Sequence, residues 1–431
     1  MNYQESLKYL HELCKFGINL GLERITMLLN LLGNPHRQIA ALHIAGTNGK
    51  GSTSAMIAGI LKEAGLKVGV YTSPHLHSYS ERIRINGEDI ADHDFAAGMA
   101  ELKEFVPEVL RLTGENPTEF EILTALAFQY FAKEKVDIMV IEVGMGGRLD
   151  STNVVTPLIS VITSISRDHI DYLGPTLADV AREKAGIIKA KVPVISAFQE
   201  ECVESVLADT ARKLASPLYF IKNYKVKQTS FSSRGQIFDL VTETNHYNNL
   251  ELPLLGDHQL ENAVTAVKTV ELLQSYGWPV INAHIMRGLK KVKWPGRLEY
   301  HALQKHVLFD GAHNPEGAKV LAEAIPKYFH YKKLIMVMGV LEDKDKKDII
   351  KYLGPLGNVF VITKPPNQRA GNWQSLSELL EPYAADIFAE EDFQQAMNIA
   401  FDLAAEDDLI CITGSLYLLG ESRKYVLNTF S

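Results

Sequence analysis

Leu42 to Thr53 reads LHIAGTNGKGST, a short apolar run that enters three glycines and a lysine and then a helix-forming segment. Strand, glycine-rich turn and helix start are what a phosphate cradle requires. Glycines let backbone N–H groups turn inward, and a helix N-terminus adds partial positive charge. Lys50 would reach the outer phosphates, and Ser52, with Thr53 next, would supply a hydroxyl to Mg²⁺. The standard P-loop pattern is matched incompletely. Ile44 stands where its first glycine belongs, and Gly51 where Ser or Thr follows the lysine. A tight turn capping an ordinary helix is the competing explanation.

Outward from this stretch, strand-like and helix-like segments alternate. STSAMIAGILKEAG has helical spacing and a candidate C-cap at Gly65. LKVGVYTSP, VDIMVIEVGMGG, PLISVITSIS and VPVISAF read as strands, with helices at EFEILTALAFQYFAKEK and LADVAREKAGIIK between them. Near-continuous apolar strands separated by helices imply a parallel sheet covered on both faces. Residues 217–255 alternate apolar and polar, which suggests an antiparallel β excursion. After the Pro-Gly break in KVKWPGRLEY, α/β alternation resumes with KHVLFDGAHN, KKLIMVMGVLEDKD, GNVFVITKPP and DLICITGSLYLLG. The expected fold is α/β. An N-terminal P-loop-type, mostly parallel sheet domain over 1–296 carries the small antiparallel excursion, and a smaller Rossmann-like α/β domain follows over 297–431.

Length and composition agree with this. A chain of 431 residues is long for one core, and 46% hydrophobic with 22% charged residues is globular. The net charge of −8 gives no support to nucleic-acid binding. Cys14, Cys202 and Cys411 are far apart with no metal-ligand spacing, which suits a reducing compartment. The N-terminal MNYQESLKYLHELC carries polar residues too early for a signal peptide, and no apolar run approaches membrane-spanning length. A soluble cytoplasmic monomer, with no nucleic-acid or membrane partner, is the expectation.

Other chemistry sits at strand ends, where open α/β sheets bind ligands. Glu142 closes an apolar strand, and a buried carboxylate there needs a cation or a salt-bridge partner. Asp168, His169 and Asp171 follow another strand, and His169 is either a metal ligand or an ordinary loop histidine. REKAGIIK places Lys184 beside Glu183 and Arg182, ordinarily a surface ion pair. Arg297 lies in WPGRLE, and Asp310, His313 and Asn314 follow the strand in VLFDGAHNPEG. An arginine there can hold a phosphate oxygen.

In order, GTNGKGS, YTSPHL, EVGMGGRLDSTN, DHIDYLG, EKAGI, GDHQLENA, WPGRLE, DGAHNP and ITGSLYL resemble folylpolyglutamate synthases and dihydrofolate synthases of the Mur-ligase superfamily. GTNGKGS is shared with Mur ligases generally, whereas GGRLDSTN, DGAHNP and ITGSLYL are more specific to the folate branch. The resemblance implies an ATP-dependent amide ligase. A folate carboxylate attacks the γ-phosphate to give an acyl phosphate, and the amine of L-glutamate then displaces phosphate. It implies that Thr47, Asn48, Gly49, Lys50, Gly51, Ser52 and Thr53 hold ATP, with Asn262, Arg297 and Asp310 as further nucleotide contacts. Ser52, Ser73 and Glu142 match a first Mg²⁺ site. His169 and Glu142 match a second with Lys184, which the family carbamylates. His313, Ser415 and Tyr417 match positions near the incoming glutamate. Lys50, Lys184, Asp310 and His313 are the implied catalytic set. Phe120 with Asp150 and Ser151 implies a folate or dihydropteroate site, although Ser151 replaces the alanine common in that segment. Another Mur-type ligase is disfavoured, since such enzymes usually carry a further N-terminal domain for the UDP group and only about 40 residues precede the P-loop here. A regulatory module without chemistry would lack the metal and second-domain residues present here.

Overall fold

A computed structural model of the chain describes residues 1–13, 17 and 19–430; Cys14 lies outside them. The chain divides into two compact units. The first comprises Met1–Val226, Leu240–Tyr247 and Glu261–Val292, and the second Lys227–Asp239, Asn248–Leu260 and Lys293–Ser431.

The first unit is built on β1 (Ala40–Ala45), β2 (Val68–Tyr71), β3 (Ile83–Ile85), β4 (Glu88–Asp89), β5 (Ile138–Glu142), β6 (Ile159–Ile162), β7 (Val194–Ser196) and β8 (Leu218–Phe220). Their order is β4-β3-β2-β5-β1-β6-β7-β8. The strands from β2 to β8 run parallel, and β3 and β4 add an antiparallel edge. Every residue of β5, IMVIE, is buried, as a strand covered by helices on both faces must be. The helix Glu119–Lys133 begins with a capping box. Glu121 N donates to Thr118 Oγ1 at 3.3 Å, and Thr118 N to Glu121 Oε2 at 2.7 Å. The glycine expected to end the helix Lys50–Glu63 does follow it, with Gly65 at φ +85 behind the cap residue Ala64.

β8 differs from expectation. Its alternating composition places it in the antiparallel excursion, yet it pairs parallel to β7, with Val194 opposite Leu218, and forms the edge of the main sheet. Its three residues are half-buried, because an edge strand lacks a neighbour on one side, so its composition looks mixed. The excursion proper is β9 (Lys225–Ser232), β10 (Gly235–Val241) and β11 (His246–Leu252), ordered β11-β10-β9. Ser233 and Arg234 alone separate β9 from β10, and a connection that short joins only antiparallel strands.

The second unit holds β12 (Glu299–Ala302), β13 (His306–Phe309), β14 (Leu334–Met338), β15 (Val359–Thr363), β16 (Asp386–Glu390) and β17 (Leu409–Thr413), ordered β12-β13-β17-β14-β15-β16. All pairs are parallel except β12 with β13. Its core gathers Leu308, Met336, Phe360 and Cys411 from the sheet, and also Leu255 from the earlier segment. That segment is tied in by Asp257, which accepts from Lys327 Nζ at 2.6 Å and Tyr328 OH at 3.0 Å; Gln228 Nε2 donates to the same hydroxyl at 3.0 Å. Among the described residues no helix is long and apolar enough to cross a membrane.

Within the first unit, the helix Lys50–Glu63 packs against Asn282–Lys291 at a glycine contact. A Cβ on Gly288 would fall 2.4 Å from Ile60 Cα, and one on Gly59 3.3 Å from Gly288 O. Overpacking of this kind costs about 1–3 kcal/mol. Gly288→Ala is therefore expected to lower the urea midpoint of unfolding, and an unchanged midpoint would show that the helices can separate freely.

Candidate active site

The turn after β1 is shaped from beneath. Gly46 has φ +153, and a Cβ there would fall 1.8 Å from Thr163 Oγ1 at the end of β6. Thr47 N and Asn48 N both donate to Ser164 O, at 2.7 and 3.3 Å. Thr47 Oγ1 donates to Ser166 O at 2.9 Å and accepts from Ser166 N at 3.0 Å. Thr47 and Asn48 thus anchor the loop. Helical bonding starts with Thr53 N to Gly49 O at 2.9 Å. The amides of Lys50, Gly51 and Ser52 precede it and carry the positive end of the helix. Gly49, at φ +85, is covered by Asn262, whose Oδ1 would lie 2.3 Å from a Cβ there. Ser52 and Thr53 are buried in the first helical turn.

Two lysines converge on one carbonyl. Lys50 Nζ donates to Gly46 O and Thr47 O, each at 3.1 Å, and Lys184 Nζ donates to Gly46 O at 2.8 Å. Lys184 is 4% exposed. Burial, then the Lys50 charge, lowers its pKa to about 7, against the pull of Asp168 and Asp150. The surface ion pair is not what forms. Glu183 binds Arg148 Nη2 at 2.9 Å and Arg182 binds Asp179 at 2.5 Å, while Lys184 turns inward. Gly147 and Gly186 make this possible: a Cβ on Gly147 would lie 2.7 Å from Glu183 O, and one on Gly186 2.4 Å from Arg148 Cα.

β2, β5, β1 and β6 are neighbours, so the residues that follow their carboxyl ends share one edge of the sheet. These are Ser73, Glu142, the Gly46–Ser52 loop and His169. Glu142 is 4% exposed. His169 has φ +51, with Nε2 3.9 Å from Asp168 Oδ2. No three of His, Cys, Asp and Glu form a metal-binding group among the described residues. That is compatible with Mg²⁺, which usually takes one or two carboxylates and completes its shell with water and phosphate oxygens. One buried carboxylate with the hydroxyls of Ser52 and Ser73 fits that demand. Lys184 as a plain amine does not, and as a carbamate it does.

Phe120 lies against the following loop, its Cζ 2.5 Å from where a Gly144 Cβ would stand, and stacks on Tyr71 at 5.9 Å. Asp150 is buried and its carboxylate is used by that same loop. It accepts from Met145 N at 2.8 Å, Thr152 N at 3.0 Å and the Thr152 hydroxyl. Burial raises its pKa in spite of these donors. Thr152 Oγ1 also contacts His43 Nε2 at 2.8 Å. Since the hydroxyl proton goes to Asp150, His43 donates through Nε2. Ser151 is buried in the short turn Ser151–Val154.

In the second unit, β13 and β17 are adjacent and their exit loops meet, with Gly414 N donating to Ala312 O at 3.0 Å. Asp310 Oδ1 accepts from Ala312 N and Oδ2 from Leu298 N, both at 2.9 Å, while burial raises its pKa. His313 Nδ1 donates to Gly311 O at 2.8 Å, which fixes the ring at that end. Asn314 caps the helix Pro315–Tyr328, and Ser415 caps Leu416–Thr429 by accepting from Tyr417 N at 3.2 Å. Arg297 lies over Gly311, its Nη1 2.8 Å from where a Cβ would stand. Asp310, His313, Ser415, Tyr417 and Arg297 therefore gather at one sheet edge.

Sequence reasoning gave no role to Thr163, Ser164 and Ser166, the loop's anchors, or to His43 and Thr152. His43, Thr163 and Ser164 are signalled only as polar residues within or directly after an apolar strand, and Ser166 and Thr152 carry no comparable signal.

The Mur ligase middle domain family matches residues 44–270, and the Mur ligase glutamate ligase domain family matches 296–416. The dihydrofolate synthase/folylpolyglutamate synthase of Bacillus subtilis is 37% identical over 425 residues, 98% of each chain. Folylpolyglutamate synthase of Mycobacterium tuberculosis, solved with ADP and AMPPCP, superposes with a TM-score of 0.92 at 33% identity over 98% of each chain. Escherichia coli FolC, solved with DHPP and ADP, gives a TM-score of 0.89 at 30% identity over 99% of this chain and 98% of that one. With both domain families matched and the likeness running nearly end to end, the chain belongs to the dihydrofolate synthase/folylpolyglutamate synthase family of Mur ligases.

Proposed function

We propose that this chain joins L-glutamate to folates in an ATP-dependent reaction, and that it also accepts dihydropteroate. The observation that carries this reading is the end-to-end likeness to dihydrofolate synthase/folylpolyglutamate synthases, including one solved with DHPP and ADP. The folate carboxylate attacks the γ-phosphorus, ADP leaves, and an acyl phosphate forms. The glutamate amine then attacks that carbonyl, phosphate departs from the tetrahedral intermediate, and an amide and a proton remain. Negative charge builds in both steps, so preorganised cations and N–H donors supply most of the acceleration.

The amides of Lys50, Gly51 and Ser52 and the Lys50 ammonium receive the phosphates, with Asn262, Arg297 and Asp310 as further nucleotide contacts. Ser52, Ser73 and Glu142 would hold one Mg²⁺, and Glu142, His169 and carbamylated Lys184 a second. When bound, the metal neutralises phosphate charge. Phe120 and the Gly144–Asn153 loop shape the pterin site. His313, Ser415 and Tyr417 receive glutamate on the domain over 297–431, and residues 1–296 carry the nucleotide.

Mass analysis of products tests the reading. ATP and glutamate with tetrahydrofolate should yield folate extended by glutamyl units, and with dihydropteroate should yield dihydrofolate. No glutamylated product from either acceptor would refute it. Extension of tetrahydrofolate alone would leave a monofunctional folylpolyglutamate synthase, with Ser151 the first residue to revert to alanine.

Lys50→Ala should lower ATP turnover by on the order of a hundredfold or more. It should cost about 1 kcal/mol of stability, because only loop hydrogen bonds are lost. Retention of most activity by the purified variant would remove Lys50 from the phosphate site.

Lys184 provides a separate test. A pKa near 7 leaves much of the amine neutral, which CO₂ attack requires, whereas a solvated lysine is almost wholly protonated. Lys184→Arg keeps a charge but cannot form a carbamate and should be inactive. Lys184→Ala should regain part of its activity with acetate or formate. An active arginine variant would eliminate the carbamate.

A further inference from the structure

Arg297 sits in a turn held from several sides within the second unit. Gly296 O accepts from Gly311 N at 2.9 Å. Leu298 N donates to Asp310 Oδ2 at 2.9 Å. Leu298 has φ +44 and is 3% exposed. A leucine in the left-handed region costs of order 1 kcal/mol or more and persists only where its surroundings over-determine it. The remaining hold is Glu299, whose Oε2 accepts from Gly296 N at 2.8 Å.

Glu299 is itself gripped by a distant residue. Arg423, on the helix Leu416–Thr429, donates through Nε to Oε2 at 2.8 Å and through Nη2 to Oε1 at 2.7 Å. His301 Nε2 lies 2.9 Å from Oε1. Both charged side chains are about four-fifths buried, with 20% and 18% exposed for Arg423 and Glu299. Burial works to raise the Glu299 pKa, but Arg423, His301 and the Gly296 amide overcome it and bring it to about 2. A two-pronged arginine–carboxylate contact fixes direction as well as distance. It therefore fixes where the Gly296 amide stands, and with it the departure of the Arg297 side chain.

We propose that Glu299 and Arg423 are positioning residues that hold the 296–298 turn so that the Arg297 guanidinium is presented to nucleotide phosphate. The inference rests on the reading of Arg297 as a nucleotide contact. It goes further by assigning the orientation of that contact to a buried ion pair anchored on the helix that begins at Ser415 and Tyr417. Arg423→Lys keeps the charge but loses the fork, so it should behave as a loosened clamp.

The test is a double-mutant cycle on the full chain, read as ADP affinity by calorimetry. Arg297→Ala should weaken ADP about tenfold or more, as loss of a charged hydrogen bond does. Glu299→Gln and Arg423→Lys should each weaken it several-fold. Each should add little when combined with Arg297→Ala, because the group they orient is already gone. Unchanged ADP affinity in both clamp variants would overturn the proposal, as would losses that multiply with that of Arg297→Ala. A lowered melting temperature without an affinity change would mark a purely structural pair. Normal ADP affinity in Arg297→Ala would instead overturn the reading of Arg297, leaving nothing for the pair to position. If Glu299→Gln does not fold, Arg423→Lys alone completes the cycle.

Discussion

The carbonyl of Gly46 accepts hydrogen bonds from both Lys50 and Lys184, and the active-site edge of the first unit is organised around it. Burial, and then repulsion between the two ammonium groups brought to one oxygen, lowers the pKa of Lys184. The arrangement needs the carbonyl to point outward, which needs Gly46, because Thr163 occupies the space a side chain would take. It also needs a path for Lys184 to reach inward, which Gly147 and Gly186 open by letting its helix lie directly on the loop after β5. The glycine-rich loop after β1, the helix of Lys184 and the loop after β5 are thus one packed object, and a displacement in any of them would be felt by the others.

Two buried carboxylates do similar work in the two units. Asp150 and Asp310 each accept the amide two residues ahead, and each accepts a second backbone amide from further off, Met145 for Asp150 and Leu298 for Asp310. A carboxylate can satisfy several donors at once, so it folds a loop that has no regular backbone pairing of its own. Burial raises the pKa of both groups.

Much of this was legible in the sequence. Buried strands announce themselves as predominantly apolar runs, and β1, β5, β6, β14, β15 and β17 are all readable for that reason. Short edge strands do not. β3, β4 and β8 at the two margins of the sheet have two or three residues, most of them at least partly exposed, and their composition is that of a loop. At the site, GTNGKGS marks a turn that needs glycine, and Glu142 marks a costly carboxylate. The inward turn of Lys184 is not visible, because a run of Arg, Glu and Lys looks the same whether its members face water or the core. Nor is Arg423, which meets Glu299 at a sequence separation of 124, with no local pattern to announce the pairing.

The second unit's sequence is discontinuous, and this bears on how the molecule is made. Its core includes Leu255, and its first helix is tied down by Asp257 and Gln228, all of which leave the ribosome before Lys293. Those residues must wait, with their apolar surface uncovered, until the last parallel strand, β17, has been synthesised and can take its place between β13 and β14. The first unit is in the opposite position, since all eight strands of its sheet precede the excursion and can pair as they emerge. Biosynthesis therefore leaves a window in which the sheet of the first unit is assembled while Leu255 and the other early residues of the second unit still lack their packing partners. In that window the uncovered apolar surface is open to misassociation and to capture by a chaperone.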